Sequence, residues 1–278
     1  HKPNKGELYG YLFSLGAITG SLGSFLGGWI MDSFGFPMVA YIMTTLFTIG
    51  TAVAMVKIRG EPKQQSSATT KRNRDYLFGI KYFFTKPPLL YYWIFNLGFG
   101  FNFGIKMMLW PLIIYNFTQS DFYSGLLFAA MGVVAFLVLP YTGKLIDKIG
   151  YYYGAFMFLS IFGVMGLIMG FAPNYWVFFA AASLFAIGEA INGPTQAVLF
   201  TDNVESAYRG EIMGVDYFFD QIQVTLAPLF AGWLLTFFSA QEVYLFYVGF
   251  TWLILGVLVI FYRGWVVPYH ARNDASKA

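Results

Sequence analysis

Leu22-Gly-Ser-Phe-Leu-Gly-Gly-Trp29 returns as Leu226-Ala-Pro-Leu-Phe-Ala-Gly-Trp233, and Lys5-Gly-Glu-Leu-Tyr-Gly10 returns as Arg209-Gly-Glu-Ile-Met-Gly214, both 204 residues further on and without a gap. Two blocks in one register make an internal repeat. Each copy starts at a basic residue and runs into an apolar stretch long enough to span a bilayer, for which a helix needs about 20 residues. Halves that repeat in the same orientation are a transporter architecture. Counted after the polar linker that ends at residue 88, four spans lead up to the second copy and none leads up to the first, so the sequence reads as a fragment lacking four helices at its front.

Of the 278 residues, 58% are hydrophobic and 11% charged, where a soluble domain carries about 25% charge. A soluble fold is thereby excluded. Apolar runs recur eight times, at approximately 8–31, 36–57, 89–115, 123–142, 150–172, 175–200, 210–236 and 243–264. Runs this long, rich in Leu, Phe, Ala and Gly, satisfy their own backbone as helices and lack the alternation of barrel strands. The expected fold is an all-α integral membrane bundle of eight transmembrane helices with its first half truncated. The turn Asp32-Ser-Phe-Gly-Phe-Pro37 makes the first two spans antiparallel.

Sixteen of the seventeen Lys and Arg lie at the N-terminus, in segments 57–86 and 144–148, at 209, or in the tail from 263, which are alternate connections. The connections near 32–37, 116–122, 173–175 and 237–242 have none. The positive-inside rule then places both ends in the cytoplasm of a multi-pass protein of the cell membrane. With no native cysteine, single cysteines at Ser120 and Ser239 are expected to label from outside sealed cells and one at Ser66 is not. The opposite pattern would overturn this topology.

Residues 1–57 are expected to be the last two helices of an N-terminal bundle, 58–88 a cytoplasmic linker, 89–266 a six-helix C-terminal bundle and 267–278 a cytoplasmic tail. The polar run Glu61-Pro-Lys-Gln-Gln-Ser-Ser-Ala-Thr-Thr70 suits a flexible linker. The aromatic segment Asp75-Tyr-Leu-Phe-Gly-Ile-Lys-Tyr-Phe-Phe84, stopped by Pro87-Pro88, reads as an interfacial helix.

Gly143-Lys-Leu-Ile-Asp-Lys-Ile-Gly150 resembles the cytoplasmic loop motif of the major facilitator superfamily, glycine-x-leucine-x-aspartate-basic-x-glycine, with Tyr151 and Tyr152 in place of the following basic pair. Two six-helix halves joined by a cytoplasmic loop are what that resemblance implies, and the chain would be helices five to twelve. It also implies that Gly143, Asp147, Lys148 and Gly150 gate the cytoplasmic side, Asp147 meeting the start of helix five near Gly6. A carboxylate at a helix N-terminus is stabilised there by free N–H groups. Arg209 holds the paired position at helix eleven. Gly10, Gly23, Gly27 and Gly28 are similar to the glycine-proline motif of the family's proton-coupled drug antiporters, with Ser24 where that motif has proline and Thr19 where it has glycine. Glycines let neighbouring backbones approach, so these four, with Pro228 and Gly232 in the second copy, are expected at helix contacts.

The ionisable residues within the spans are Lys106, Glu189, Asp216 and Asp220. Charges in the bilayer usually face a cavity and carry function. At about 1.5 Å per residue from the cytoplasmic ends, Asp220 and Glu189 lie about 15 Å deep, Asp216 about 9 Å and Lys106 about 25 Å. Asp216 and Asp220 share a helix face, so charging both at once is disfavoured. Glu189, Asp220 and Asp216 are therefore the proton-coupling candidates, and Lys106, Asn102, Asn192 and Gln221 the substrate-cavity candidates. With histidines only at His1 and His270, no metal site, cofactor or enzymatic centre is expected, nor a nucleic-acid partner.

The expected function is secondary active transport of a small organic solute, coupled to protons, by alternating access of two halves in the lipid bilayer, with efflux ahead of uptake. The missing N-terminal helices of the same protein would be its structural partner. The alternative is a transporter-like receptor or scaffold that binds a ligand without moving it.

Overall fold

The structure is a computed structural model that describes residues 5–58 and 78–269. Most of the expected linker and tail, including Ser66, lies outside the described residues. Those described are helical throughout: α1 (Lys5–Phe34), α2 (Phe36–Ile58), α3 (Phe78–Thr85), α4 (Pro87–Thr118), α5 (Phe122–Ile149), α6 (Tyr151–Gly170), α7 (Tyr175–Asn203), a 3₁₀ turn (Ser206–Tyr208), α8 (Arg209–Leu234), α9 (Ala240–Phe261) and a π turn (Tyr262–Val266).

Seven of these helices are long and apolar enough to cross a membrane. The eighth expected span, α8, has 26 residues, about 39 Å at 1.5 Å per residue, but Arg209, Glu211, Asp216 and Asp220 lower its apolarity. The segment expected to lie at the interface forms α3, with Tyr82 and Phe83 buried. Both α4 and α7 are longer than their apolar runs. Pro87 and Pro88 occupy the first turn of α4, where a missing N–H costs nothing.

Local chemistry explains the boundaries. Asn174 accepts hydrogen bonds from the Trp176 and Val177 amides to cap α7, and Ser239 with Glu242 forms a capping box on α9. Gly35 (φ 77°) and Gly150 (φ 86°) turn the chain between α1 and α2 and between α5 and α6. A side chain at Gly150 would be strained, so Gly150→Ala is expected to destabilise by about 1–3 kcal/mol, read as a lower melting midpoint in detergent.

Two seams organise the bundle. α1 and α5 run antiparallel: Gly28 meets Gly125, Ser21 and Ala17 meet Gly132, and Gly10 meets Leu139 and Gly143. Ser120 Oγ donates to Asp32 Oδ1 (3.0 Å) in the same register. The backbones come so close that a Cβ on Gly28 would fall 2.7 Å from the Gly125 Cα. Such small-residue contacts are how helices associate in lipid, where no hydrophobic force drives them together.

α4 and α8 run parallel, paired at a constant offset of 124 residues from Tyr92–Asp216 through Asn96–Asp220. The seam continues through Gly104 on Pro228 to Met108 on Gly232. Residues four apart lie on one helix face, so these pairs form one row on each helix, with Gln223 and Ala227 packing beside it on Gly100 and Gly104. α6, α7 and α9 complete the bundle around buried Trp110, Phe158, Phe178, Phe185 and Tyr244.

Gly10, Gly28, Pro228 and Gly232 lie at helix contacts. Gly23 and Gly27 have no neighbour within 4 Å of a would-be Cβ among the described residues. The α1 stripe facing α5 passes through positions 10, 17, 21 and 28, and at about 100° per residue positions 23 and 27 point elsewhere.

Candidate functional site

A cavity of about 600 Å³ opens between α1, α4, α7 and α8. Its walls are largely aromatic: Tyr9 and Phe13 from α1, Tyr92, Phe99 and Phe103 from α4, Phe200 from α7 and Tyr217 from α8. Into it converge Glu189, Asp216 and Asp220, with Asn192 and Gln196 beside them and Arg209 also in its lining. The cavity therefore combines π faces with excess negative charge.

The carboxylates of α8 are held by α4. Tyr92 Oη donates to Asp216 Oδ2 (2.9 Å), and Asn96 Nδ2 donates to Asp220 Oδ1 (3.3 Å). Gln196 Nε2 donates in turn to Asn96 Oδ1 (2.8 Å), linking α7, α4 and α8 in one polar chain. Among the described residues, buried Asp216 Oδ1 and Asn192 Oδ1 have no hydrogen-bond partner, which leaves two acceptors without a donor. Arg209 reaches from the start of α8 to the Thr201 carbonyl (3.2 Å).

Glu189 has a different environment. Lys106 Nζ lies 2.6 and 2.7 Å from its two oxygens, and the two side chains are 10% and 25% exposed. Glu189 thus belongs to an ion pair and is not level with Asp220. Because α7 runs on to Asn203, Glu189 stands fourteen residues, about 21 Å, from that helix end. Removing one partner of a largely buried pair leaves an uncompensated charge, so Glu189→Gln is expected to destabilise by about 3–5 kcal/mol. Lys106→Met with Glu189→Gln should recover most of this in a detergent melt.

Asn102 does not line the cavity. It donates to Thr251 Oγ1 (2.8 Å) and to the Gly98 carbonyl, tying α4 to α9. Gln221 is exposed; it follows Asp220 by about 100° of helix rotation and so turns away. Sequence reasoning missed Tyr92, Asn96 and Gln196. Four-residue spacing of Tyr92, Asn96, Gly100 and Gly104, matching that of Asp216, Asp220, Val224 and Pro228, was the available signal.

The sequence profile described as "Major Facilitator Superfamily" matches residues 97–278. The chain belongs to the Major Facilitator Superfamily. Within it, the chain is similar to the Probable vesicular acetylcholine transporter-A of Danio rerio, 34% identical over 126 residues that cover 44% of this chain and 25% of the relative. It is 28% identical to the Vesicular acetylcholine transporter of Torpedo marmorata over 159 residues, 57% of this chain and 30% of the relative. The Uncharacterized MFS-type transporter YuxJ of Bacillus subtilis (strain 168) is 25% identical over 292 residues, 100% of this chain and 70% of that one. The chain thus spans about a quarter to a third of the vesicular relatives.

Membership in the Major Facilitator Superfamily, with seven apolar helices, makes this a multi-pass membrane protein of a transporter family. The motif Gly143 to Gly150 ends α5: Gly143 packs beside Gly10, and Gly150 caps the helix by donating to the Ile146 carbonyl (2.8 Å). Asp147 lies near the C-terminal end of α5. Lys148 lies in the last turn of α5. Tyr151 and Tyr152, in place of the basic pair, pack at a tilt against each other (4.6 Å between centroids), and Tyr152 packs on Tyr91 and Tyr262 (5.0 Å each). Nearby, Lys86 bonds Tyr82 Oη (2.7 Å) and Glu205 (3.0 Å). Burial pulls its ammonium down, but the bonds to Tyr82 and Glu205 outweigh this and raise its pKa.

Proposed function

We propose that this protein is a proton-coupled secondary transporter of a small organic cation in the cell membrane, working by alternating access with efflux favoured and both ends cytoplasmic. The observation that carries the reading is the aromatic cavity into which Glu189, Asp216 and Asp220 converge. Aromatic faces attract cations through their quadrupole, and carboxylates add Coulombic attraction that strengthens as water is excluded. Relatives named as acetylcholine transporters support a cationic solute.

Coupling follows from competition. A carboxylate that faces the cavity can hold a proton or face the cation, and a solute shifts that equilibrium by its differential affinity for the two states. The unpartnered carboxylate oxygen of Asp216 is where a proton gains most, and the unpartnered amide oxygen of Asn192 can accept from a donor group of the solute. Membership in a transporter family favours translocation over the receptor reading.

Transport of labelled acetylcholine and tetraethylammonium into vesicles from cells expressing the protein tests this. Accumulation driven by an imposed pH gradient and collapsed by a protonophore is the expected result. Binding of either cation without accumulation would favour a receptor, and no response to the gradient would remove the proton.

A further inference from the structure

Lys106 is enclosed by more than its counter-ion. Its Nζ lies 5.2 Å from the Trp110 ring centroid, 5.7 Å from Phe128 and 5.8 Å from Phe185, with both Glu189 oxygens within 2.7 Å. An ion pair needs one anion; three rings around an ammonium are the arrangement by which proteins recognise ammonium ligands. The rings are positioned by one another, Trp110 packing on Phe128 at 6.2 Å and on Phe185 at 5.5 Å. The box therefore has walls that do not depend on the lysine.

The box also communicates with the cavity. Glu189, Phe99 and Phe103 line the large cavity and the small compartment around Lys106 alike. Within that compartment Asn102 Oδ1 is buried and has no hydrogen-bond partner among the described residues. A carboxylate and three π faces thus surround a position now filled by a side chain of the protein itself.

We propose that Trp110, Phe128, Phe185 and Glu189 form an ammonium-binding subsite that Lys106 occupies in the solute-free protein, and that the ammonium head of the solute enters by displacing Lys106 from Glu189. Exchange of one cation for another keeps Glu189 compensated, whereas a neutral solute leaves Lys106 in place. Lys106 is then specificity-determining: it admits solutes that compete with an internal ammonium. The role in transport rests on the cation-transport reading above; the existence of the subsite does not.

Lys106→Ala removes a fragment with the shape and charge of n-propylammonium. In detergent, the variant is expected to melt lower than the native protein and to be restored by several degrees, saturably, by n-propylammonium chloride. Tetramethylammonium should restore part of the loss, while propan-1-ol and sodium chloride at equal concentration should not. Adding Glu189→Gln to Lys106→Ala should remove the response. If Lys106→Ala gives no folded protein alone, the readout is its monodisperse yield when extracted with and without n-propylammonium. Absence of rescue, or equal rescue by propan-1-ol or salt, overturns the subsite. Amine rescue in a protein that moves no cation keeps the subsite and sinks the transport reading; cation transport without amine rescue does the reverse.

Discussion

Asp216→Asn combined with Asp220→Asn is expected to abolish gradient-driven accumulation while solute exchange at equal pH on both sides continues. Asparagine keeps the shape of each carboxylate and an oxygen that can accept from Tyr92 and Asn96, the donors that hold the pair. The α4–α8 seam therefore survives, and what disappears is the capacity to take up and release a proton. Glu189 remains to meet the cationic head. Undiminished gradient-driven transport would remove both residues from coupling. Loss of monodisperse protein would show instead that the carboxylates serve the seam.

The second large effect is expected where α1 lies on α5. Gly28→Leu or Gly125→Leu puts four carbons into a gap where one Cβ would already fall 2.7 Å from backbone, and backbone cannot yield as a side-chain tip can. Overpacking usually costs about 1–3 kcal/mol, but here the helices must separate along their length because Gly10, Ser21 and Gly28 form one stripe. A disulfide between Asp32→Cys and Ser120→Cys, whose native side chains bond at 3.0 Å, reports the separation in a chain without other cysteines. Cross-linking should be rapid on the otherwise native background and largely lost with either leucine. Equal rates in both would show that this register is not the one in the membrane. Gly23→Leu is the control, since no described residue lies within 4 Å of its would-be Cβ.

Parts of the site were legible because membrane chemistry makes buried charge conspicuous. Glu189, Asp216 and Asp220 stand out in apolar runs, and all three line the cavity. Asn192 lines it too, as its polarity within a span suggested. Gln221 has the same polarity and is exposed, because one residue of rotation decides between cavity and outside. Lys106 was conspicuous as well, yet its pairing with Glu189 depended on how far α7 extends beyond its apolar run, to Asn203. Tyr92 looked like one aromatic among 20 tyrosines and 32 phenylalanines, and only the partner across the seam distinguishes it.

The amino-acid sequence by itself determined the all-helical membrane class, the approximate spans, the repeat at offset 204 and the alternation of basic connections. Each of these is imposed on a segment one at a time: a span must bury its own backbone, and a loop must carry its own charge across or stay. The tertiary structure decided which faces meet. The offset of 124 between α4 and α8, the antiparallel stripe of α1 on α5 and the ring box around Lys106 are relations between segments distant in the chain. They depend on the rotation and sliding of one helix against another, which packing of small residues settles to within a fraction of a turn and which no single segment encodes.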